Sequence, residues 1–373
     1  NPNPAAGTSY DVSDQSAANR SAFTRGWDKT IRFLTFREQV NRDRAIELYR
    51  QGDEVFRRAS QMSREEAKSE FVRAGKLFKR AADALPGSAL EQDALLMQGE
   101  SYYFADYLNR AEDAYAKLQK NHPRNRHSDL AGSRLFAISN YWIDCATNPR
   151  PQLLPVNFTD RSRPILDTSG HAIRVLDQMR YDDPTGKLAD DATMAAAVEH
   201  MRRGNYFEAD QLLSDLREIY PDSSHQFNAH MLGLRCKVAM YAGAAYSGLA
   251  LEEAKELIER TRRIFPQEMR NDSHSTFVAQ TAAEVEYRLA EKLWERARYR
   301  EKQQRYGGAN VYLQELLEKY PDTPFAEEAR EHLAANSELP PVPPQRFAFL
   351  AKLFPEGQPQ KPLMSTDGTI LRR

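Results

Sequence analysis

Between residues 45 and 335, small and apolar positions recur in a pattern punctuated by proline. Six sets carry the pattern, each an alanine with an apolar side chain four residues on and a proline twelve residues on; Ala137 with Pro149 and Ala329 with Pro341 share the spacing and are set aside as chance pairs. The sets are Ala74, Phe78, Pro86; Ala111, Tyr115, Pro123; Ala172, Leu176, Pro184; Ala209, Leu213, Pro221; Ala254, Ile258, Pro266; and Ala309, Leu313, Pro321. A spacing of four puts both side chains on one helical face. Proline, which lacks an amide, then stops the helix. A second small residue stands twelve before the alanine at Gly99, Ala197, Ala242 and Ala297, and is missing where Met62 and Asp160 stand. Small residues facing each other on two helices let the backbones approach closely. The pattern therefore predicts helical hairpins, and no stretch alternates with period two for long enough to require a sheet.

A unit of about 34 residues is the period of the tetratricopeptide repeat (TPR). The second hairpin fits it most fully, through Gly99, Tyr102, Ala111, Tyr115 and Pro123. Gly204, Asn205 and Tyr206, and later Tyr306, supply the turn between paired helices. Ser88 with Glu91 and Ser63 with Glu66 read as capping boxes. Asp322 and Thr323 read as caps for a helix with Pro324 in its first turn. Long helices are expected over 92–104 and 281–300. The predicted fold is all-α, a TPR-type superhelical solenoid of antiparallel helix pairs with about six hairpins over 45–336. Pro149, Pro151, Pro155 and Pro164 mark an insertion near 147–170 within the third hairpin. Ahead of the array, residues 20–44 form an amphipathic cap with Trp27, Ile31 and Leu34 on one face. Residues 1–19 read as a disordered lead, and the start at Asn1 as processed or trimmed.

Residues 337–373 hold seven prolines and one apolar island, 347–354. Such a segment cannot build its own core. Phe347, Leu350 and Phe354 are thus candidates for a docking motif, folding back on the last hairpin or engaging another protein.

The 373 residues are 41% apolar and 28% charged, with 52 basic side chains against 53 acidic ones. A net charge of -1 removes the bulk electrostatic case for a nucleic-acid partner. The longest weakly polar stretch, 239–251, is shorter than the ~20 apolar residues of a membrane-spanning helix. Two cysteines, Cys145 and Cys236, exclude a disulfide-stapled scaffold and leave their pairing open.

Chemistry has no visible home in the sequence. There is no Gly-rich phosphate loop, no paired-Cys motif and no His-Glu-x-x-His sequence. His122 with His127, and His225 with His230, are five apart, a spacing that does not align two ligands on a helix face. No catalytic residue, cofactor or metal site is expected. What remains is the groove lined by the first helices of the hairpins, a surface that holds extended peptides or a partner's helix. Leu96, Glu100, Tyr103 and Phe104 are predicted to face it in the second repeat, Met194, Val198 and Arg202 in the fourth, and Trp294 and Arg298 in the last. The Lys and Asn that clamp a chaperone's terminal carboxylate in one TPR subclass are absent at these positions.

YPDT at 320–323, YPDS at 220–223, the run GESYYFADYLNRAEDAYAKLQKNHP ending at Pro123 and the insertion in the third hairpin together resemble the BamD (YfiO, ComL) family. The resemblance covers roughly residues 45–335. It implies a lipid-anchored TPR scaffold on the periplasmic face of the outer membrane, its anchor upstream of this chain. Its amino-terminal repeats would engage unfolded outer-membrane proteins, and its carboxy-terminal repeats the barrel-forming subunit. By repeat position, Glu100, Tyr103 and Phe104 would then lie on the substrate side and Trp294 with Arg298 nearer the assembly partner. The alternative is a generic TPR adaptor of envelope or cytoplasm, TolA-binding-like or other, with unrelated partners.

Overall fold

The computed structural model describes residues 22–148, 157 and 160–343, with side chains from Asn41 onward. The lead 1–19, the cap side chains Trp27, Ile31 and Leu34, and the tail residues Phe347, Leu350 and Phe354 lie outside those described residues. Among the described residues there are thirteen α-helices and one short 3-10 turn, and no strand. The helices follow one another as α1 (Ala22–Ala59) and α2 (Arg64–Ala84), α3 (Ala89–Phe104) and α4 (Leu108–Asn121), α5 (Ser128–Thr147) and α6 (Thr168–Asp182), α7 (Ala189–Arg202) and α8 (Tyr206–Ile219), α9 (Gln226–Ala239) and α10 (Leu249–Ile264), α11 (Asp272–Lys302) and α12 (Tyr306–Lys319), with α13 (Phe325–Asn336) last. The fold is all-α and TPR-type. Two compact units divide the chain, Asn1–Gly233 and Leu234–Arg373. Within the first, each of α1 to α8 packs on its sequence neighbours; within the second, α11 packs against α10, α12 and α13.

The repeat punctuation has a direct structural counterpart. Ala74, Ala111, Ala172, Ala209, Ala254 and Ala309 are all fully buried, and so are Phe78, Tyr115, Leu176, Leu213 and Leu313 four residues later. Each large side chain so placed contributes about 1.5–3 kcal/mol of burial. The residue before each repeat proline has left the helical region, with φ between -141° and -117°. That is the conformation a following proline imposes.

Two small positions work by ring contact, while Ala242, expected on a facing helix, is exposed in the connection between α9 and α10. A Cβ on Gly99 would come within 2.4 Å of the Tyr115 ring, and one on Gly52 within 2.9 Å of the Phe78 ring. Gly52 is thus the first hairpin's counterpart of Gly99. Gly52 precedes Ala74 by 22 residues, where Gly99 precedes Ala111 by 12, so the twelve-residue spacing falls on Met62 instead. The extra length goes mainly into α2, which runs ten residues before Ala74 while α4 runs only three before Ala111.

One of the two capping boxes forms. Ser88 Oγ accepts from the Glu91 amide at 3.0 Å and the Glu91 carboxylate accepts from the Gly87 amide at 2.5 Å. At Ser63 the hydroxyl instead donates to the Glu66 carboxylate at 2.8 Å, which leaves no oxygen lone pair aimed at a helix amide. Thr323 likewise turns its hydroxyl to the Tyr320 carbonyl, 2.9 Å, and caps nothing. The expected cap at 20–44 and the first helix of the array are a single rod, α1.

Candidate peptide-binding site

In the first unit, the ends of the first three hairpins and the returning segment of the insertion enclose an open cavity of about 1130 Å³. Its floor is aromatic. Phe71 of α2 stacks on Phe104 of α3 with ring centres 5.6 Å apart, and Phe56 of α1 meets Phe71 edge to face at 5.2 Å. Phe71 is buried, whereas Phe104 remains 44% exposed, as does Met62 at 38%. The longer first hairpin builds this wall: Phe56, Ala59, Met62, Ala67 and Phe71 all lie between Gly52 and Ala74, beyond the ring contact at Phe78.

Behind the floor sits a buried charge. Arg134 of α5 donates to both oxygens of Glu100, Nε to Oε1 at 2.8 Å and Nη2 to Oε2 at 2.9 Å. The Tyr115 hydroxyl donates to the same carboxylate at 2.6 Å. Burial, reinforced by the Glu100 charge, pushes the Tyr115 phenol well above its ordinary value, so it stays a neutral donor. Hydrogen bonding to Glu100 pushes Arg134 up, against the opposing effect of burial. So held, the guanidinium lies over the rings of Tyr103 at 4.5 Å and Phe104 at 5.6 Å. Such a cation–π contact contributes about 0.5–2 kcal/mol and fixes where the two rings stand.

The rim is ionic. Asp106, in the left-handed conformation at φ 62°, pairs with Lys68 at 3.2 Å and Arg64 at 3.4 Å. Hydrogen bonds to Asp106 and Glu65 hold the Lys68 ammonium above its usual range. Across the mouth, the insertion is pinned to α5 and α4. Trp142 Nε1 donates to the Ser162 carbonyl at 2.8 Å, and the Asn109 amide donates to the Arg163 carbonyl at 3.1 Å. Asp160 organises this turn: burial would raise its carboxyl, but hydrogen bonds from Ser162 and Arg163 outweigh it and hold the carboxyl below the usual range. Arg161 then stacks over Tyr107 at 4.9 Å and hydrogen-bonds its hydroxyl.

The predicted groove residues separate into four groups. Tyr103 and Phe104 line the cavity. Glu100 is buried one turn deeper and acts through Arg134, while Leu96, 7% exposed, is a core residue. Met194 is half-buried and Arg202 exposed on α7, away from the cavity lining, with Arg202 paired to Glu199 at 2.5 Å. In the second unit Trp294 is only 8% exposed. It packs on Phe325 and His332 of α13, with Arg298 over its ring at 5.6 Å. Sequence reasoning missed Phe56, Phe71, Tyr107, Tyr141 and Arg161. The first two were hidden by the register of the long hairpin, the last by an insertion with no repeat period.

The cavity offers apolar area, ring edges and faces, and charges of both signs at its rim. Among the described residues no cluster of three or more His, Cys, Asp or Glu could hold a metal ion, and no helix is long and apolar enough to cross a membrane.

Residues 188–339 match the model of the YfiO family, described as an outer membrane lipoprotein, and residues 93–125 match a tetratricopeptide-repeat model. Similar solved structures include a tetratricopeptide repeat protein from Parabacteroides merdae, 12% identical with a TM-score of 0.30, covering 78% of this chain and 100% of that one. Another is the C-terminal part of a TPR repeat-containing protein from Cytophaga hutchinsonii, 14% identical with a TM-score of 0.29, covering 80% of this chain and 98% of that one. No curated protein matches the chain. The chain thus resembles the YfiO family over residues 188–339 and carries a tetratricopeptide-repeat match over its second hairpin.

Proposed function

We propose that this chain is a non-catalytic TPR scaffold of the cell envelope that binds extended or partly unfolded polypeptide through exposed aromatic and apolar side chains. Unfolded outer-membrane proteins are the substrate class and a barrel-assembly subunit the second partner. The observation that carries the reading is the aromatic floor of Phe56, Phe71 and Phe104, left open to solvent at Phe104 and backed by the Arg134–Glu100 pair. An unfolded segment with an aromatic side chain can place it against Phe104 and Tyr103, while its backbone amides and carbonyls reach the ionic rim. The outer membrane lipoprotein description of the matched family supports an envelope setting. That match begins at residue 188, beyond the cavity, so the binding of extended aromatic polypeptide rests on the cavity's own chemistry and the outer-membrane substrate class on the family resemblance.

The test is a titration of the full chain with fluorescent peptides of one length, with and without aromatic residues. Aromatic peptides are expected to bind tighter, and Phe104→Ser to weaken them by roughly ten- to thirtyfold, the effect of losing one anchor of about 1.4–2 kcal/mol. Affinity that ignores both the aromatic residues and Phe104 overturns the reading.

A further inference from the structure

The Pro-rich tail begins by turning back on the second unit. The Gly307 amide, in the first turn of α12, donates to the Pro341 carbonyl at 3.0 Å. This gives a partner to one of the amides that a helix start leaves unpaired. The approach is close: a Cβ on residue 307 would stand 3.1 Å from Pro341 Cβ and 3.2 Å from its carbonyl oxygen. Glycine here is what lets the tail lie against the helix.

Beside this contact is a cavity of about 690 Å³, walled by α12 and the end of α11 on one side and by Pro341, Val342 and Pro343 on the other. Its α12 side presents Val311, 61% exposed, and Tyr312. Arg300 and Arg305 stand at its edge. The site is apolar with two guanidinium groups, and one of its walls is the tail itself.

We propose that the apolar island 347–354 of this same tail fills that cavity, with Phe347, Leu350 and Phe354 on Val311 and Tyr312 and the phenylalanine rings against the two arginines. Phe347 follows Pro343 by four residues, a reach of up to about 14 Å, so the island starts at the cavity mouth. Its side chains have no core of their own and gain burial here, and the arginine faces suit aromatic rings. Because Pro341 is already held, the island closes a short loop rather than associating from solution. This inference concerns the second unit and stands apart from the peptide site of the first.

The test places a benzophenone photo-crosslinking amino acid at Val311 of the full chain, an exposed site that accepts a large side chain. Irradiation at low protein concentration is followed by gel analysis and mass spectrometry. The expected product is an adduct within one chain, mapped to 347–354, whose yield drops at least tenfold in the Phe347→Ser, Leu350→Ser, Phe354→Ser triple variant. An adduct to a second copy, an adduct elsewhere in the chain, no adduct, or a yield indifferent to the triple substitution overturns the proposal.

Discussion

Gly99 and Glu112 show how single residues set this fold's tolerances. A methyl on Gly99 would be driven into the Tyr115 ring at 2.4 Å, and Tyr115 cannot retreat because its hydroxyl is bonded to the Glu100 carboxylate. Gly99→Ala is expected to destabilise the first unit by about 2 kcal/mol, the range for overpacking a tight core, seen as a lower urea midpoint. Glu112 of α4 is buried, with Arg174 3.7 Å away. Burial pushes its carboxyl above the usual range, against the pull of Arg174. A carboxyl raised by folding favours the folded chain while protonated. That contribution is present at low pH and is lost as pH rises through the folded value. Glu112→Gln is therefore expected to gain stability over the parent at pH 8, on the order of 1 kcal/mol, and to lose the advantage as pH falls toward 4. Paired denaturation curves across that range check the sign.

Three of the turns between paired helices obey one rule written in three residue types. Asp106, Gly204 and Gln304 all adopt positive φ, at 62°, 79° and 58°. In each case the next residue's amide returns to the carbonyl five before it: Tyr107 to Tyr102, Asn205 to His200, Arg305 to Arg300. Only Gly204 announces such a helix-ending turn in sequence. Asp106 repays its backbone strain by serving as the anion of the cavity rim, whereas Gln304 is exposed and has no such tie. Gln304→Gly is expected to stabilise the second unit by about 0.5–1 kcal/mol, readable as a higher denaturation midpoint. The first hairpin departs from the repeat just as quietly. The seven extra residues of α2 over α4 make almost two whole turns, so its inward face is kept while its length grows. Periodicity reads faces well and lengths poorly, which is why the alanine–proline units were legible and Gly52 was not.

Across the whole chain, what sequence made legible was the part governed by local sterics. Helix stops at proline and small residues opposite rings need no knowledge of distant neighbours, so Ala74 through Ala309 could be placed in the core in advance. The cavity needed that knowledge. Phe56, Phe71 and Phe104 become neighbours only through the stacking of three helices, and Arg161 reaches Tyr107 only because Asn157 and Asp160 fold the insertion back. Repeat position set Glu100 on the groove, but its burial and its hold on Arg134 depend on a helix more than thirty residues later. The capping boxes divide the same way: Ser88 finds the Glu91 amide, and Ser63, with the same motif, does not.

The hold of Gly307 on Pro341 has a quantitative corollary for the second unit. In the docking proposed above, the segment after Pro343 meets the neighbouring surface at an effective concentration in the millimolar range, set by tether length and independent of how dilute the protein is. A free ligand that shares that surface competes with it on unequal terms, and its measured dissociation constant is inflated accordingly. Cutting the chain after Pro343 removes that competitor, so a soluble ligand for this face would be titrated at its intrinsic strength only in the shortened protein.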